Sequence, residues 1–409
     1  MGRSNPMAIL TGGHVNALNV LRGLAAHGIQ TVLIQTQPYD IAHRSRWVSE
    51  AVRLNTPEGP EPLLSLLRGK AREWRGSVII PSSDSIVEVL ARHGDELSEH
   101  YRFAVPPWDV TRKLLRKHLT YEAARSVGLP VPRGYGPAAM ALQQRASLSY
   151  PIIVKPPDNL AFRHSLGKKL LVAHDSNELT AAVHLLERHG LDADVYEFIP
   201  GPDSSFVNYL VYIDRSGSPV AEFVIRKLRK SPPLFGVGRV VTGASGDLLA
   251  APARELSLRL LRAVGWRGLA SVEFKLDPRT DRLVLMEVNP RTALMMAPAR
   301  AAGIEFGWLA WQDAVAGHLT APVPNGWNGA WIHLHADVWN ALMFHSQEKL
   351  TWRQYVRPYL GSKAFAVWSW NDPMPFLVEW FHTLRQGLRI IRRPGSPRWA
   401  EFRAPGASA

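Results

Sequence analysis

The sequence predicts a parallel α/β unit, then an α+β region, then a tryptophan-rich C-terminal segment. Between residues 8 and 90, short apolar runs end in small turn residues and alternate with helix-spaced leucines. After Pro132 the texture changes to paired strands and hairpins. Ten of the fourteen tryptophans lie between Trp308 and Trp399. At 409 residues, 46% hydrophobic and 20% charged, the chain is long enough for about two or three domains.

Ala8-Ile9-Leu10 reads as a strand and Thr11-Gly12-Gly13-His14 as its turn. Leu18, Leu21, Leu24 and Ala25 then follow helix spacing up to Gly28. Thr31–Ile34 and Ser77–Ile80 read as further strands. The second is followed by Pro81-Ser82-Ser83-Asp84 and a helix bearing Ile86, Val87, Val89 and Leu90. Such alternation implies a parallel sheet covered on both faces, with its ligand crevice at the carboxyl ends of the strands. The Gly-Gly-His turn is half of a dinucleotide fingerprint or simply a tight turn.

A linking helix is predicted over 110–127, stopped by Gly128 and Pro130. Tyr150–Lys155 is an apolar strand closed by a lysine, and 176–189 an amphipathic helix. Asp194–Ile199 is a strand closed by Pro200-Gly201. Residues 207–213 with 219–226, and 270–276 with 283–288, read as hairpins, with a helix over 254–264 between them. Tryptophans need cover, so the last segment reads as a folded appendage.

Cysteine is absent, which excludes disulfides, thiolate metal sites and cysteine nucleophiles. The N-terminus lacks an apolar core of signal-peptide length, and no run of ~18 apolar residues reads as a membrane span. A cytoplasmic location is the expectation. The formal charge of +13 favours anionic partners, although the excess is mostly arginine.

The chemistry concentrates in ASVEFKLDPRTDRLVLMEVNPR. If its arms pair symmetrically about Thr280, Glu273 faces Glu287 and Ser271 faces Asn289, all on one face. Opposed like charges destabilise a sheet. The arrangement makes sense if a hard cation such as Mg²⁺ sits between these oxygens; otherwise they are two solvated charges. Lys155, at its strand end, is placed either to reach a phosphate or to lie exposed. Lys117 lies on a helix. YEFIPG, with Asp203 just beyond, offers a strand edge for a base and an acid for ribose hydroxyls, or is only a strand and its turn.

In this order, KHLTYEAARSVGLPVP, YPIIVKP, YEFIPGPD and SVEF…LMEVNPR resemble the ATP-grasp superfamily, in particular carboxylate–amine ligases similar to D-aspartate ligase and carbamoyl-phosphate synthase. The resemblance covers about residues 8–320. It implies a pre-ATP-grasp α/β domain (1–116), a two-subdomain clamp (117–320, hinge near 200) and a Trp-rich extension (321–409). It implies an ATP- and Mg²⁺-dependent ligase, with Mn²⁺ as an alternative metal, joining a small-molecule carboxylate to an amine through an acyl-phosphate. Lys117 and Lys155 match the nucleotide lysines. Glu197, Phe198 and Ile199 match the adenine-edge strand, and Asp203 the ribose acid. Glu273, Glu287 and Asn289 match the metal ligands. Arg291 matches the arginine that steadies the acyl-phosphate or the substrate carboxylate. Arg226, Lys227 and Arg229, in IRKLRKSPPLFG, either approach the γ-phosphate or form a solvated basic loop.

The chain departs from the family pattern at Arg116, where an acid or amide is usual. Its phosphate loop has one glycine, Gly167, with Arg163, His164, Lys168 and Lys169 as alternative positive charge. That loop leaves open a rival reading, a nucleotide-sensing or membrane-associated binding protein without turnover. His333 and His335 alternate on an expected strand with no third metal ligand in view, and read as satisfied or exposed histidines. In 376–393, Leu377, Trp380, Phe381, Leu384, Leu388 and Ile391 form one stripe among arginines. The favoured reading docks that stripe on the protein; peripheral contact with an anionic membrane is the alternative. No nucleic-acid partner is expected, and the sequence leaves the oligomeric state open.

Overall fold

The computed structural model describes residues 5–37, 39–54, 59–156, 162, 165–167, 170–231, 236–316, 319–348 and 350–391, without the side chains of 343–347 and 386–391. The phosphate-loop residues 163, 164, 168 and 169 and the arginines at 392 and 393 lie outside these, as does the Arg389 side chain.

β1 (Ala8–Thr11), β2 (Thr31–Gln35), β3 (Glu50–Arg53) and β4 (Val78–Ile80) form a parallel sheet in the order β3-β2-β1-β4. Side chains alternate across it. Leu10, Leu33 and Ile80 pack with the helix Val15–Ala26. Ile9, Val32, Ile34 and Ile79 pack with the helices Pro60–Lys70 and Asp84–Arg92. Gly12 takes φ +75° in the turn after β1, which favours glycine. Gly13 is needed for packing: a Cβ there would lie 2.4 Å from the Cβ of Asp40. The Asp40 carboxylate in turn accepts the Thr36 and Gln37 N–H groups, each at 3.0 Å.

The linking helix is two helices, Trp108–Leu115 and Lys117–Ser126, broken where Arg116 turns extended. Its guanidinium reaches the Glu88 carboxylate at 2.9 and 3.0 Å and lies over the Trp108 ring. The break puts Lys117 in the first turn of a new helix.

β5 (Gly134–Pro137), β6 (Ile152–Lys155), β7 (Leu171–Ala173) and β8 (Asp194–Glu197) form a small antiparallel sheet in the order β5-β8-β6-β7. Its helix, Ser176–Arg188, is capped by Asp175, which accepts the N–H groups of Asn177 and Glu178 at 2.8 Å.

The third sheet has seven strands: β9 (Phe206–Ile213), β10 (Pro219–Ser231), β11 (Val237–Gly243), β12 (Gly268–Asp277), β13 (Arg282–Asn289), β14 (Ala330–Ile332) and β15 (Lys363–Phe365), in the order β13-β12-β9-β10-β11-β14-β15. Every residue of β9 is buried, so the strand feeds two cores. Leu210 and Tyr212 face the first α/β unit, with the helix Phe306–Ala316 between. Val207, Tyr209 and Val211 face the helix Ala250–Val264.

The tryptophan-rich segment is stitched into this sheet, since β14 pairs with β11 and β15 with β14. Fully buried Arg239 donates to Asp337 at 2.7 Å, and Arg229 lies 3.2 Å from the same carboxylate. The helix Met374–Ile391 docks beside the residues 42–44, with Phe376 and Val378 packed on the core. Just before it, Asp372 accepts from Arg22 at 2.9 Å and from Ser45 at 2.7 Å. Only part of the expected stripe docks: Trp380 packs against His335 and Phe376, whereas Leu377, Phe381 and Leu384 are 53, 61 and 62% exposed. A cluster built around Glu379 takes the inward side, because its partners His333 and His335 lie there. Neither His333 nor His335 is on a strand: β14 ends at Ile332, His333 follows it, and His335 lies in the first turn of the helix Leu334–Glu348. Among the described residues no helix is long and apolar enough to cross a membrane.

Candidate functional site

The β12–β13 ladder pairs Ser271 with Asn289 and Glu273 with Glu287, the register expected from symmetry about Thr280. A one-residue irregularity follows between Glu273 and Phe274. Two carboxylates therefore stand opposite each other on one face, and each has a cation. Lys227, on β10, donates to Glu273, and Asn208 Nδ2, on β9, donates to the same oxygen at 3.2 Å. Burial would raise the Glu273 carboxyl, but Lys227 and Lys230 outweigh it and hold it below its ordinary value. Glu287 is half-exposed, with Lys155 Nζ 4.0 Å from its Oε2.

Lys117 approaches from its helix start and donates to the Met286 carbonyl at 3.1 Å; the Tyr121 hydroxyl donates there too, also at 3.1 Å. The Lys117 and Lys155 side chains line the same cleft, close enough for their charges to oppose each other. Burial first, and then the charge of Lys117, lowers Lys155 to about 8. Burial lowers Lys117 as well. Asp84, Lys117, Tyr121, Lys155, Glu287 and Asn289 line one cleft. Arg291 closes its rim, donating to Asp84 at 2.6 Å and to Asn289 Oδ1 at 3.0 Å. It thereby ties the hairpin to the carboxyl end of the parallel sheet.

Lys227, Lys230 and Lys275 gather around the Phe206 ring, 5.1, 3.9 and 5.0 Å from its centroid. Burial, then repulsion by Lys227, lowers Lys230 to about 7; burial lowers Lys275 to about 8. Lys275 donates to the Ile199 carbonyl at 2.8 Å and lies 5.3 Å from the Phe198 ring. Asp203 accepts the Lys230 N–H at 2.9 Å. Glu197 accepts from Arg279 at 2.6 Å and from the Arg133 N–H at 3.2 Å.

Arg226 is not brought to this cluster. Neighbouring strand positions point to opposite faces, and its guanidinium binds Asp247 at 2.7 Å and the Ser204 carbonyl at 3.0 Å. Arg229 goes to Asp337 and the Tyr355 carbonyl. Sequence reasoning missed Lys230, Lys275, Asn208 and Tyr121. Lys275 was legible, two residues beyond Glu273 on the same strand. Lys230 was not, because a bulge between Lys227 and Lys230 resets the alternation of β10.

The donor set suits a hard divalent ion. Two carboxylates and an amide oxygen share a face, and the opposed acids need positive charge between them. The lysines of the cleft equally suit a polyphosphate.

No protein-family model matches the chain. It is similar to D-aspartate ligase of Enterococcus faecium (strain Aus0004), 22% identical over 228 residues, 52% of this chain and 53% of the relative. It is also similar to the carbamoyl phosphate synthase large chain of Thermomicrobium roseum (strain ATCC 27502 / DSM 5159 / P-2), 25% identical over 327 residues, 75% of this chain and 28% of the relative. The chain thus spans about half of the first and under a third of the second. Among solved structures, the ADP complex of an N5-carboxyaminoimidazole ribonucleotide synthetase superposes with a TM-score of 0.63 at 15% identity, over 85% of this chain and 87% of that one. The resemblance read from the motifs is therefore matched in sequence relatives and in fold, and the chain has the architecture of the ATP-grasp ligases.

Proposed function

We propose that the chain is an ATP- and Mg²⁺-dependent ligase that joins a small-molecule carboxylate to an amine through an acyl-phosphate, with Mn²⁺ an alternative metal. The observation that supports this best is the charge arrangement. Two lysines, Lys117 and Lys155, line one cleft beside two opposed carboxylates, Glu273 and Glu287. A nucleoside polyphosphate with a divalent cation balances both halves at once.

Bound MgATP would supply the phosphoryl group and neutralise its charge. The chain's residues do the positioning. Lys117 and Lys155 hold phosphate oxygens. Glu197, Phe198 and Ile199 border the base, and Asp203 the ribose. Glu273, Glu287 and Asn289 would hold the cation, with Lys227, bonded to Glu273, placed to reach the phosphate. Arg291, at the mouth of the parallel sheet, orients the substrate carboxylate. Arg226 braces β10 against Asp247 in this reading rather than touching phosphate. Catalysis is then mostly preorganised electrostatics, with no covalent enzyme intermediate. The same reading divides the chain near 116 and 320, with a hinge near 200 that lets the small sheet clamp the nucleotide. It places the protein in the cytoplasm, where ATP is supplied.

The test is phosphate release across a panel of carboxylates and amines, amino acids first, with products identified by mass spectrometry. No turnover by folded protein with any pair, despite ATP binding, would favour the nucleotide-sensing alternative.

The exposed stripe of Leu377, Phe381 and Leu384, with exposed Arg385 beside it, supports a second contact: peripheral docking of the helix Met374–Ile391 on an anionic membrane surface. The chain's charge of +13 has the complementary sign.

A further inference from the structure

A second cluster lies outside the nucleotide cleft, where the turn after β1, the end of β14 and the C-terminal helix meet. His333 Nε2 lies 2.6 Å from Glu379 Oε1, and His335 Nδ1 3.5 Å from the same oxygen. One ligand atom from each of the three residues falls within 4.8 Å of the others. His14 joins them edge-on, its ring centroid 6.3 Å from that of His333, while the His333 and His335 centroids are 5.8 Å apart.

The hydrogen bonding leaves a gap in charge. Thr383 Oγ1 donates to the Glu379 carbonyl at 3.0 Å, so toward His335 Nε2 it can only accept. That fixes the proton of a neutral His335 on Nε2 and leaves Nδ1 a bare lone pair aimed at a carboxylate oxygen. Two acceptors facing each other repel. Both His335 Nδ1 and the second Glu379 oxygen lack a hydrogen-bond partner, although Glu379 is only 6% exposed. Such orphaned acceptors carry a desolvation cost unless a cation joins them.

We propose that His333, His335 and Glu379 bind a divalent transition metal of the Zn²⁺ class, with a fourth position left for water or another small ligand. Two imidazoles and one carboxylate, with a water in the fourth position, form a donor set that borderline ions take in four-coordinate geometry, whereas Mg²⁺ takes oxygen ligands. Thr383 orients His335 as outer hydrogen bonds orient ligating imidazoles. The ligands come from the end of β14 with the helix after it and from the C-terminal helix, so the ion pins the C-terminal helix to the large sheet.

Full-length protein stripped with a chelator is titrated with Zn²⁺ against a competing indicator, with millimolar Mg²⁺ present. One Zn²⁺ per chain is expected, with a dissociation constant below about 1 μM. His335→Ala and Glu379→Gln should each weaken it at least about tenfold. Co²⁺ bound to the wild-type chain should show visible absorption of a four-coordinate site, a readout that needs no variant. Glu287→Gln should leave Zn²⁺ affinity unchanged. A folded wild-type chain that binds neither ion tighter than about 100 μM overturns the proposal, as does equal Zn²⁺ binding by both cluster variants.

Discussion

Glu287 is the residue whose loss should separate chemistry from folding. It is half-exposed, so Glu287→Gln should leave thermal stability nearly unchanged while lowering ATP turnover ~10²-fold or more, about 3 kcal/mol of barrier. Near-normal turnover in a coupled phosphate assay would remove the metal assignment. Lys155 makes a pH prediction. Its ammonium titrates near 8 because burial and Lys117 disfavour the charge, and an adjacent polyphosphate restores it. ATP binding above pH 8 should therefore take up a proton, and affinity should fall as the pH rises through that value. Calorimetry at pH 8.5 in buffers of different ionisation enthalpy reads the uptake, and zero uptake would detach Lys155 from the phosphates. At this scale the sequence was informative wherever alternation holds: the facing of Glu273 and Glu287 follows from a symmetric hairpin. It failed at β10, where a bulge sends Lys227 and Lys230 inward and an arginine on either side of Lys227 elsewhere. A backbone irregularity leaves no mark in residue spacing.

Two elements behave differently from their sequence patterns, for identifiable reasons. The segment over 110–127 has helix periodicity throughout, yet Arg116 breaks it, its guanidinium held by Glu88 from another part of the chain and lying over the Trp108 ring. The C-terminal helix has an apolar stripe that reads as a docking face, yet of that stripe Trp380 docks, beside Phe376, Val378 and Glu379, while Leu377, Phe381 and Leu384 stay exposed. Periodicity identifies a face and not its partner. Leu377→Asp with Phe381→Asp should thus cost little stability, within about 0.5 kcal/mol, while abolishing sedimentation with anionic vesicles. Unchanged sedimentation would remove the membrane contact. The opposite result is expected of the buried Asp337, which holds Arg229, Arg239 and the Tyr359 hydroxyl. Asp337→Ala takes the carboxylate from buried Arg229 and leaves buried Arg239 with Glu348 alone, and should cost about 3–5 kcal/mol in denaturant unfolding.

The whole molecule couples its three sheets through the cleft. The helix after β4 of the parallel sheet contributes Asp84, the small sheet Lys155, and the large sheet Glu287 and Asn289. A nucleotide touching all three should bind the folded chain alone, so MgATP at about 100 times its dissociation constant should stabilise it by about 2.7 kcal/mol. Thermal unfolding with and without a non-hydrolysable analogue measures this, and no shift would argue against a shared site. The overall architecture was legible because strand-helix alternation and hairpin spacing are local signals. The joining of the tryptophan-rich segment to the large sheet was not, since β14 and β15 are three residues each and pair far along the chain. That late pairing bears on how the protein is made. On the ribosome β11 emerges well before β14, and the β12–β13 hairpin and the helix Phe306–Ala316 must be synthesised in between. Throughout that interval β11 is a bare edge with unpaired amides, open to another nascent copy. Transcripts cut before residue 330 should yield chains that engage chaperones or aggregate, whereas stopping after β15 seals the edge.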